Sequence, residues 1–368
     1  MKLKIFSERS YLPQGIAHEP ILFPFWGNLP ENSGRPWSRI FDSYTEMGRS
    51  LFEMSSLEEA DLAVMPVNWE PVFSSEDLSL PIQLVKKAKQ AKKPVVSFFS
   101  GDCSHLKLPV KSDLVFRHSL YRSVKQANDF AFPAWSQDLL EKYFNSQLSI
   151  RRKRAKPIVG FCGFSVSRTL KTYLKFFLHW SEKLFVQRKI PRYHIGHVLR
   201  TLALSVLSKS RLIEANFVER DRLFFHEPNL ALQEKIQQEF VQNMRNSDYV
   251  FCCRGSGNYS FRFYEALCCG RIPVFLNTNC VLPYDFEIDW KKYCVWVDES
   301  ELPFIAEKIA EFHDNLSPQE FIDLQHECRR IWEERISPEG FFANLYRHIP
   351  IAFSARSQEE SILVSKIS

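Results

Sequence analysis

Arg254, Ser260, Arg262 and Glu265 stand close together in the stretch Cys253-Arg254-Gly255-Ser256-Gly257-Asn258-Tyr259-Ser260-Phe261-Arg262-Phe263-Tyr264-Glu265-Ala266-Leu267. Their types and spacing suit a phosphorylated ligand. The apolar, β-type run from Tyr249 to Cys253 feeds a loop bearing Gly255 and Gly257. Ser260 stands where its hydroxyl would cap a helix of about ten residues. The bare amide groups and positive dipole end of such a helix favour an anion. Arg254 and Arg262, on either side of the helix start, carry the planar fork that pairs bidentately with phosphate oxygens. Glu265, a turn further on, offers a carboxylate to two vicinal hydroxyls such as those of a ribose. Gly270 fits the left-handed position after a helix, and Ile272–Leu276 reads as a buried parallel strand. Taken singly, each residue also fits an ordinary strand–loop–helix–strand unit; the whole set together fits it poorly.

Arg254 to Val274 resembles the signature of exostosin-type glycosyltransferases, family 47: an Arg-Gly pair, Ser260, Arg262-Phe263, Glu265-Ala266-Leu267, Gly270 and Ile272-Pro273-Val274. The likeness continues through Leu282-Pro283-Tyr284 and Ile288-Asp289-Trp290, so that it covers roughly residues 240–300. Lys156–Gly163 is similar to the strand and glycine turn that open the second domain of that family. The resemblance implies an α/β protein of GT-B type, two Rossmann-like domains facing a cleft. It also implies a nucleotide-sugar donor, usually UDP-linked, and inversion at the anomeric carbon. Many retaining relatives carry a second glutamate eight residues before the one on the helix; here that position is Gly257, which agrees with inversion.

The elements that must position these residues follow from the pattern. Short apolar β-type runs alternate with helical ones, as in parallel α/β layers. Residues 1–150 are expected to form the N-terminal, acceptor-side domain. It has strands at Leu3–Phe6, Asp61–Pro66, Val95–Phe99 and Asp113–Phe116, helices at Ser38–Phe52, Pro81–Ala91 and Ser136–Phe144, and a long loop over Tyr11–Pro36. Residues 151–335 are expected to form the donor-binding domain, with the signature over 249–297, and residues 336–368 a C-terminal helix and tail. In the donor domain strands are read at Pro157–Cys162, Phe217–Phe225, Tyr249–Cys253, Ile272–Leu276 and Cys294–Val297. Helices are read at Ser167–Gln187, 192–213, Leu230–Arg245, Glu301–Asn315, Pro318–Arg335 and Pro338–His348. The basic run Arg151–Lys156 is read as a solvated hinge. No internal repeat is visible.

Gly163, Ser165 and Arg168, after the first strand of the donor domain, offer a second wall around a diphosphate. An inverting transfer also needs a base for the acceptor hydroxyl. Asp102, on the Ser-Gly turn after Val95–Phe99, is the candidate; His105 and His118 are alternatives. His226 and Glu227 are candidates for the base or sugar of the donor. The arginines can neutralise a leaving diphosphate without a metal, and no Asp-x-Asp pair is placed to hold Mg²⁺, so no cofactor is expected. The partners expected are a UDP-sugar and a glycan or lipid-linked acceptor.

The bulk properties agree. A chain of 368 residues can bury two cores. A net charge of +5 suits an anionic donor and leaves open a peripheral contact with an anionic membrane, without requiring nucleic acid. The nine cysteines are odd in number, several lie inside apolar segments, and none has zinc-site spacing. Met1–Phe6 reads as a strand rather than a signal peptide, and no apolar run is long enough to span a bilayer. Animal and plant members of the family this chain resembles usually carry an N-terminal anchor, so the resemblance implies a cytoplasmic bacterial or viral enzyme here, free or at a membrane face. Two other classes stay in view: a catalytically inactive nucleotide-sugar-binding partner of a transferase complex, and another Rossmann-type enzyme. The absence of a G-x-G-x-x-G after the first strand counts against the latter.

Overall fold

A computed structural model of the chain describes residues 2–27, 39–70, 78–187, 189–191, 195–222 and 227–353. The chain forms two compact units. The first runs to Trp135 and takes in Val281–Tyr284 and the C-terminal stretch from Glu334; the second comprises Ser136–Cys280 and Asp285–Glu333.

The first unit is built on a six-stranded sheet of β1 (Leu3–Phe6), β2 (Phe52–Met54), β3 (Leu62–Asn68), β4 (Val95–Phe99), β5 (Leu114–Arg117) and β6 (Asp129–Ala131). The strands lie in the order β2-β1-β3-β4-β5-β6 and every pair is parallel. Strands β3 and β4 are buried almost throughout, which explains their near-continuous apolar sequence. Helices α1 (Asp42–Leu51) and α2 (Ser79–Gln90) supply crossovers. The sequence reading ran the first helix through Phe52, but Phe52 begins β2, buried against the core. It also missed β6, whose three residues are too few to show a period. The expected loop from Tyr11 carries the helical turns Pro20–Leu22 and Phe23–Trp26, and its residues 28–36 lie outside the described residues. Pro66 lies within β3, where the register against β4 shifts between Val64 and Asn68.

Aromatic rings gather around the C-terminal segment of this unit. The helix Pro338–Ala343 brings Phe342 onto Tyr44, with ring centroids 4.3 Å apart, and Phe341 against Phe116 and Trp135, both at 5.5 Å. The indole of Trp135 donates to the Ile336 carbonyl at 3.0 Å. The C-terminal segment is thus core material for the unit that begins the chain.

The second unit is built on β7 (Ile158–Phe164), β8 (Glu214–Arg220), β9 (Tyr249–Cys252), β10 (Ile272–Asn277) and β11 (Val295–Asp298), in the order β11-β10-β9-β7-β8 and again all parallel. Around it lie α3 (Leu139–Phe144), α4 (Leu170–Ser181), α5 (Gly196–Lys209), α6 (Leu230–Arg245), α7 (Phe261–Cys268), α8 (Ile305–Asp314) and α9 (Pro318–Ile331). Gly270 has φ +60 after α7. Its amide donates to Leu267 at 2.9 Å and that of Arg271 to Ala266 at 2.8 Å, the Schellman closure its position predicts. A Cβ on Gly270 would lie 2.5 Å from Leu148 Cδ1, so glycine is required twice over.

Numbered within its own unit, each sheet has the same order, 2-1-3-4-5, with a sixth strand added in the first. In this doubly wound topology the chain reverses direction across the sheet between strands 1 and 3. The crevice beyond the carboxyl ends of those two strands is where such sheets bind ligands. In the second unit these strands are β7 and β9.

The buried pair Arg117–Asp129 offers a stability test. The two approach to 2.6 Å, and Arg117 also donates to the carbonyls of Ser104, at 2.6 Å, and Leu106, at 2.8 Å. Asp129→Ala would leave a buried guanidinium without its counter-ion. Urea unfolding is expected to show a loss of about 3–5 kcal/mol for the first unit; a loss below about 1 kcal/mol would show that the pair is dispensable.

Candidate functional site

The loop after β9 and the turn at the end of β7 bring the signature residues together. Arg254 is buried, donating through Nη2 to the Ser256 carbonyl at 2.5 Å and through Nη1 to Asn258 Oδ1 at 3.2 Å. Asn258 Oδ1 also accepts from Thr278 Oγ1 at 2.6 Å. Arg254 therefore shapes the loop that bears it.

Arg262, on the first turn of α7, crosses to β7. Its Nη2 donates to the Cys162 carbonyl at 2.8 Å, and its guanidinium lies 4.3 Å from the Phe161 ring centroid. A Cβ on Gly163 would stand 2.7 Å from Arg262 Nη2, and Gly163 has φ +151. Gly163 thus leaves the space in which this guanidinium sits. Sequence reasoning placed Gly163 beside a ligand; its direct neighbour is Arg262.

Arg200 completes the cluster and was not anticipated. It lies on α5 among buried Val198, Leu199, Leu202 and Ala203. Its Nη1 donates to the Phe164 carbonyl at 2.9 Å and its Nη2 to that of Arg254 at 3.1 Å. Burial, then the positive charge of Arg262, lower its pKa to about 10. The Nε atoms of Arg200 and Arg262 are both buried and donate to nothing among the described residues. Gly196 opens α5 where a Cβ would meet the Gly255 carbonyl oxygen at 2.2 Å, so the helix packs directly on the arginine loop. A lone arginine in the apolar run His197–Leu207 was the signal for this residue.

Glu265 lies on α7 beside this cluster. Burial raises its pKa to about 7, with Arg262 pulling the other way. Ser260 holds the N-cap position with extended backbone, φ −138 and ψ 113, but its side chain makes no capping hydrogen bond. The expected hydroxyl cap is therefore absent, and Phe263 N bonds the Ser260 carbonyl at 3.2 Å instead. No Cβ clash would arise at Gly255. Arg168 pairs with Glu219 of β8 at 2.6 Å, and Ser165 Oγ donates to the same carboxylate at 2.7 Å. These two form a separate polar group beyond the ends of β7 and β8. Glu227 accepts from Asn229 N at 3.1 Å at the start of α6; His226 lies outside the described residues.

In the first unit, Asp102 is exposed on the turn after β4, and its backbone N–H bonds the Glu70 carboxylate. Burial, then the charge of Asp102, raise the Glu70 pKa. Gly101, at φ +83, leaves room for that carboxylate: a Cβ there would lie 1.7 Å from Glu70 Oε1. Glu19 is buried near the β1/β3 switch, and its pKa is raised to about 8 by burial, with a hydrogen bond from Asn68 opposing. Neither glutamate was singled out in the sequence, where nothing marks them. His118 is locked: Nδ1 accepts from Gly101 N at 3.2 Å and Nε2 faces the Pro133 carbonyl at 3.1 Å. Burial drives its pKa to about 3, so it stays neutral with both nitrogens engaged. His105 packs edge-on to Tyr121 at 5.6 Å.

Residues 207–311 match the family model described as the exostosin GT47 domain. Among curated proteins the chain is 33% identical to Exostosin-1 of Drosophila melanogaster over 101 residues, 27% of this chain and 13% of that one. It is 29% identical to "Probable glucuronosyltransferase GUT1" of Oryza sativa subsp. japonica over 80 residues, 22% of this chain and 19% of that one. It is 32% identical to "Probable beta-1,4-xylosyltransferase IRX10L" of Arabidopsis thaliana over 66 residues, 18% of this chain and 16% of that one. The matched stretch thus spans under a fifth of each of these relatives. The family model takes in the loop after β9, all of α7 and β10, and leaves out β7 and Arg200.

Two outcomes are expected. Gly163→Ala should cost about 1–3 kcal/mol in urea unfolding, because its backbone suits glycine and the added methyl meets Arg262; an unchanged midpoint would mean that the guanidinium has room to shift. Between pH about 4.5 and about 7 the folded chain keeps the Glu265 proton that the unfolded chain has lost, so stability falls as pH rises through that window. Glu265→Gln should flatten this slope in melting temperatures recorded across it, and an unaltered slope would assign the dependence to another group.

Proposed function

We propose that the chain is an inverting glycosyltransferase that moves a sugar from a nucleotide sugar, UDP-linked, to a glycan or lipid-linked acceptor in surface polysaccharide or glycoconjugate synthesis. The observation that carries this reading is the arginine cluster at the β7/β9 switch. Arg262 and Arg200 share one aromatic platform there, each with a buried Nε donor that an anionic oxygen would satisfy. The exostosin-like segment and its transferase relatives support the same chemistry.

In the reaction the acceptor oxygen bonds to the anomeric carbon as the bond from that carbon to the diphosphate oxygen breaks. The diphosphate leaves with the electron pair, and the acceptor proton passes to a base. Arg262, Arg200 and the α7 N-terminus stabilise the leaving charge without a metal. Arg254 and Gly255 hold the loop in shape, Glu265 receives the ribose hydroxyls, and Gly163 leaves the space from which Arg262 meets the diphosphate. Asp102 takes the proton, with Glu70 beside it. Burial, then the Asp102 charge, raises the Glu70 pKa, so Glu70 is the carboxyl of the two that holds its proton longer.

The test is UDP release by purified protein over a panel of UDP-sugars with EDTA present. The panel includes UDP-glucuronate and UDP-xylose, the sugars that relatives' names carry. Acceptor-dependent release from one donor supports the proposal. Tight donor binding without release would make the chain a silent partner, and no binding to any member of the panel would overturn the reading. Arg262→Ala and Glu265→Ala should weaken donor binding about 10- to 100-fold. Asp102→Asn should lower turnover about 10²- to 10⁴-fold at unchanged donor affinity.

A further inference from the structure

Helix α4 and the wide turn after it, Glu182–Val186, invert the usual order of a surface helix. The residues they bury are polar. Thr172 Oγ1 donates to the Ser167 carbonyl at 2.7 Å, and His179 Nε2 meets the buried Glu299 carboxylate, which Lys183 Nζ also approaches at 3.0 Å. The residues they turn outward are large and apolar. Leu170 is 86% exposed, Phe177 67% and Leu174 54%, and on the turn Phe185 is 85% exposed and Leu184 66%. On the helix, Leu170, Tyr173, Leu174, Phe177 and Leu178 stand at i, i+3, i+4, i+7 and i+8, one continuous stripe. A stripe this continuous marks an interaction surface rather than scattered exposure.

Charge identifies what it meets. From Arg168 to Lys189 the sequence has six basic residues and one acidic, so this segment carries as much net positive charge as the whole chain. Lys171 and Lys175 are exposed along one flank of the stripe, and the Lys183 ammonium lies 4.9 Å from the Trp180 ring centroid. Lysine is depleted from the cores of protein–protein interfaces. By contrast, a leucine and phenylalanine face flanked by lysine is what an interfacial helix presents to anionic lipid. No helix among the described residues is long and apolar enough to cross a membrane, and the twelve residues of α4 are suited to lying in the headgroup plane.

We propose that α4 and its turn dock the protein on an anionic lipid bilayer, Leu170, Leu174, Phe177, Leu184 and Phe185 entering the acyl boundary and Lys171 and Lys175 meeting the headgroups. The contact is independent of the transfer reaction. Where that reaction holds, the docking helix follows directly on the β7 turn that seats Arg262, and the donor site is carried to a surface where lipid-linked acceptors reside.

Co-sedimentation of the full chain with vesicles tests this, using phosphatidylcholine alone and phosphatidylcholine mixed with phosphatidylserine. The wild type is expected to pellet with the mixed vesicles and to be released as salt is raised. Phe177→Glu should weaken binding more than about tenfold. Lys171→Gln and Lys175→Gln should each weaken it about fivefold and erode the preference for phosphatidylserine. Melting curves confirm that each variant remains folded. Failure to pellet, equal binding to both vesicle types, or a Phe177→Glu variant that binds like the wild type would overturn the proposal. So would a wild-type dimer that Phe177→Glu dissolves in the absence of vesicle binding, which would assign the face to a second copy of the chain.

Discussion

The seat of Arg262 organises the second unit. A guanidinium brought under cover must regain the hydrogen bonds and dielectric it gave up in water, and this one does so in part through three neighbouring residues. Phe161 of β7 offers its ring face, Cys162 its carbonyl, and Gly163 the absence of a side chain. These are consecutive residues of one strand, while the arginine comes from the helix after β9. The β7–β9 pairing is thus a condition for the site, and it joins segments about a hundred residues apart in the chain.

Arg200 adds a second cation to the same platform, and the two repel. The arrangement holds because Arg200 is tied down by the carbonyls of Phe164 and Arg254, and because Gly196 lets α5 press against the arginine loop. Glu265 only partly offsets the positive charge, since its own burial favours the neutral acid. Positive potential concentrated at strand ends, with donors already oriented, is what an anionic leaving group requires. In the first unit the corresponding edge collects carboxylates instead, with Glu70 set over Gly101 beside Asp102 and Glu19 buried near Asn68. The same strand order, used twice, places arginines at the carboxyl edge of one sheet and carboxyl groups at that of the other.

The legible part of this protein was local. The β9–loop–α7–β10 unit, the role of Gly270 and most of the strands were readable because each is set by neighbours within about ten residues: apolar runs, a glycine at a helix end, a turn. Strands β2 and β6 escaped because three residues carry no period, and their identity comes from the strands they pair with. The repeated 2-1-3-4-5 order left no trace as a sequence repeat, because topology constrains which segments are apolar and leaves their identities free.

The sequence by itself determined that arginines, a glutamate and glycines would meet at a helix start, since those residues are joined by short, stiff pieces of chain. Tertiary structure decided which of them share a seat. It turned Arg254 inward to brace its loop, left Ser260 without its cap, set Arg168 on Glu219, and brought Arg200 in from a helix more than fifty residues away. It also decided that α4 would bury a histidine and a threonine and expose its leucines. The partner of its buried His179 is Glu299, 120 residues distant in the chain. Spacing reports which residues share a face; the partner that covers it is supplied by the rest of the chain.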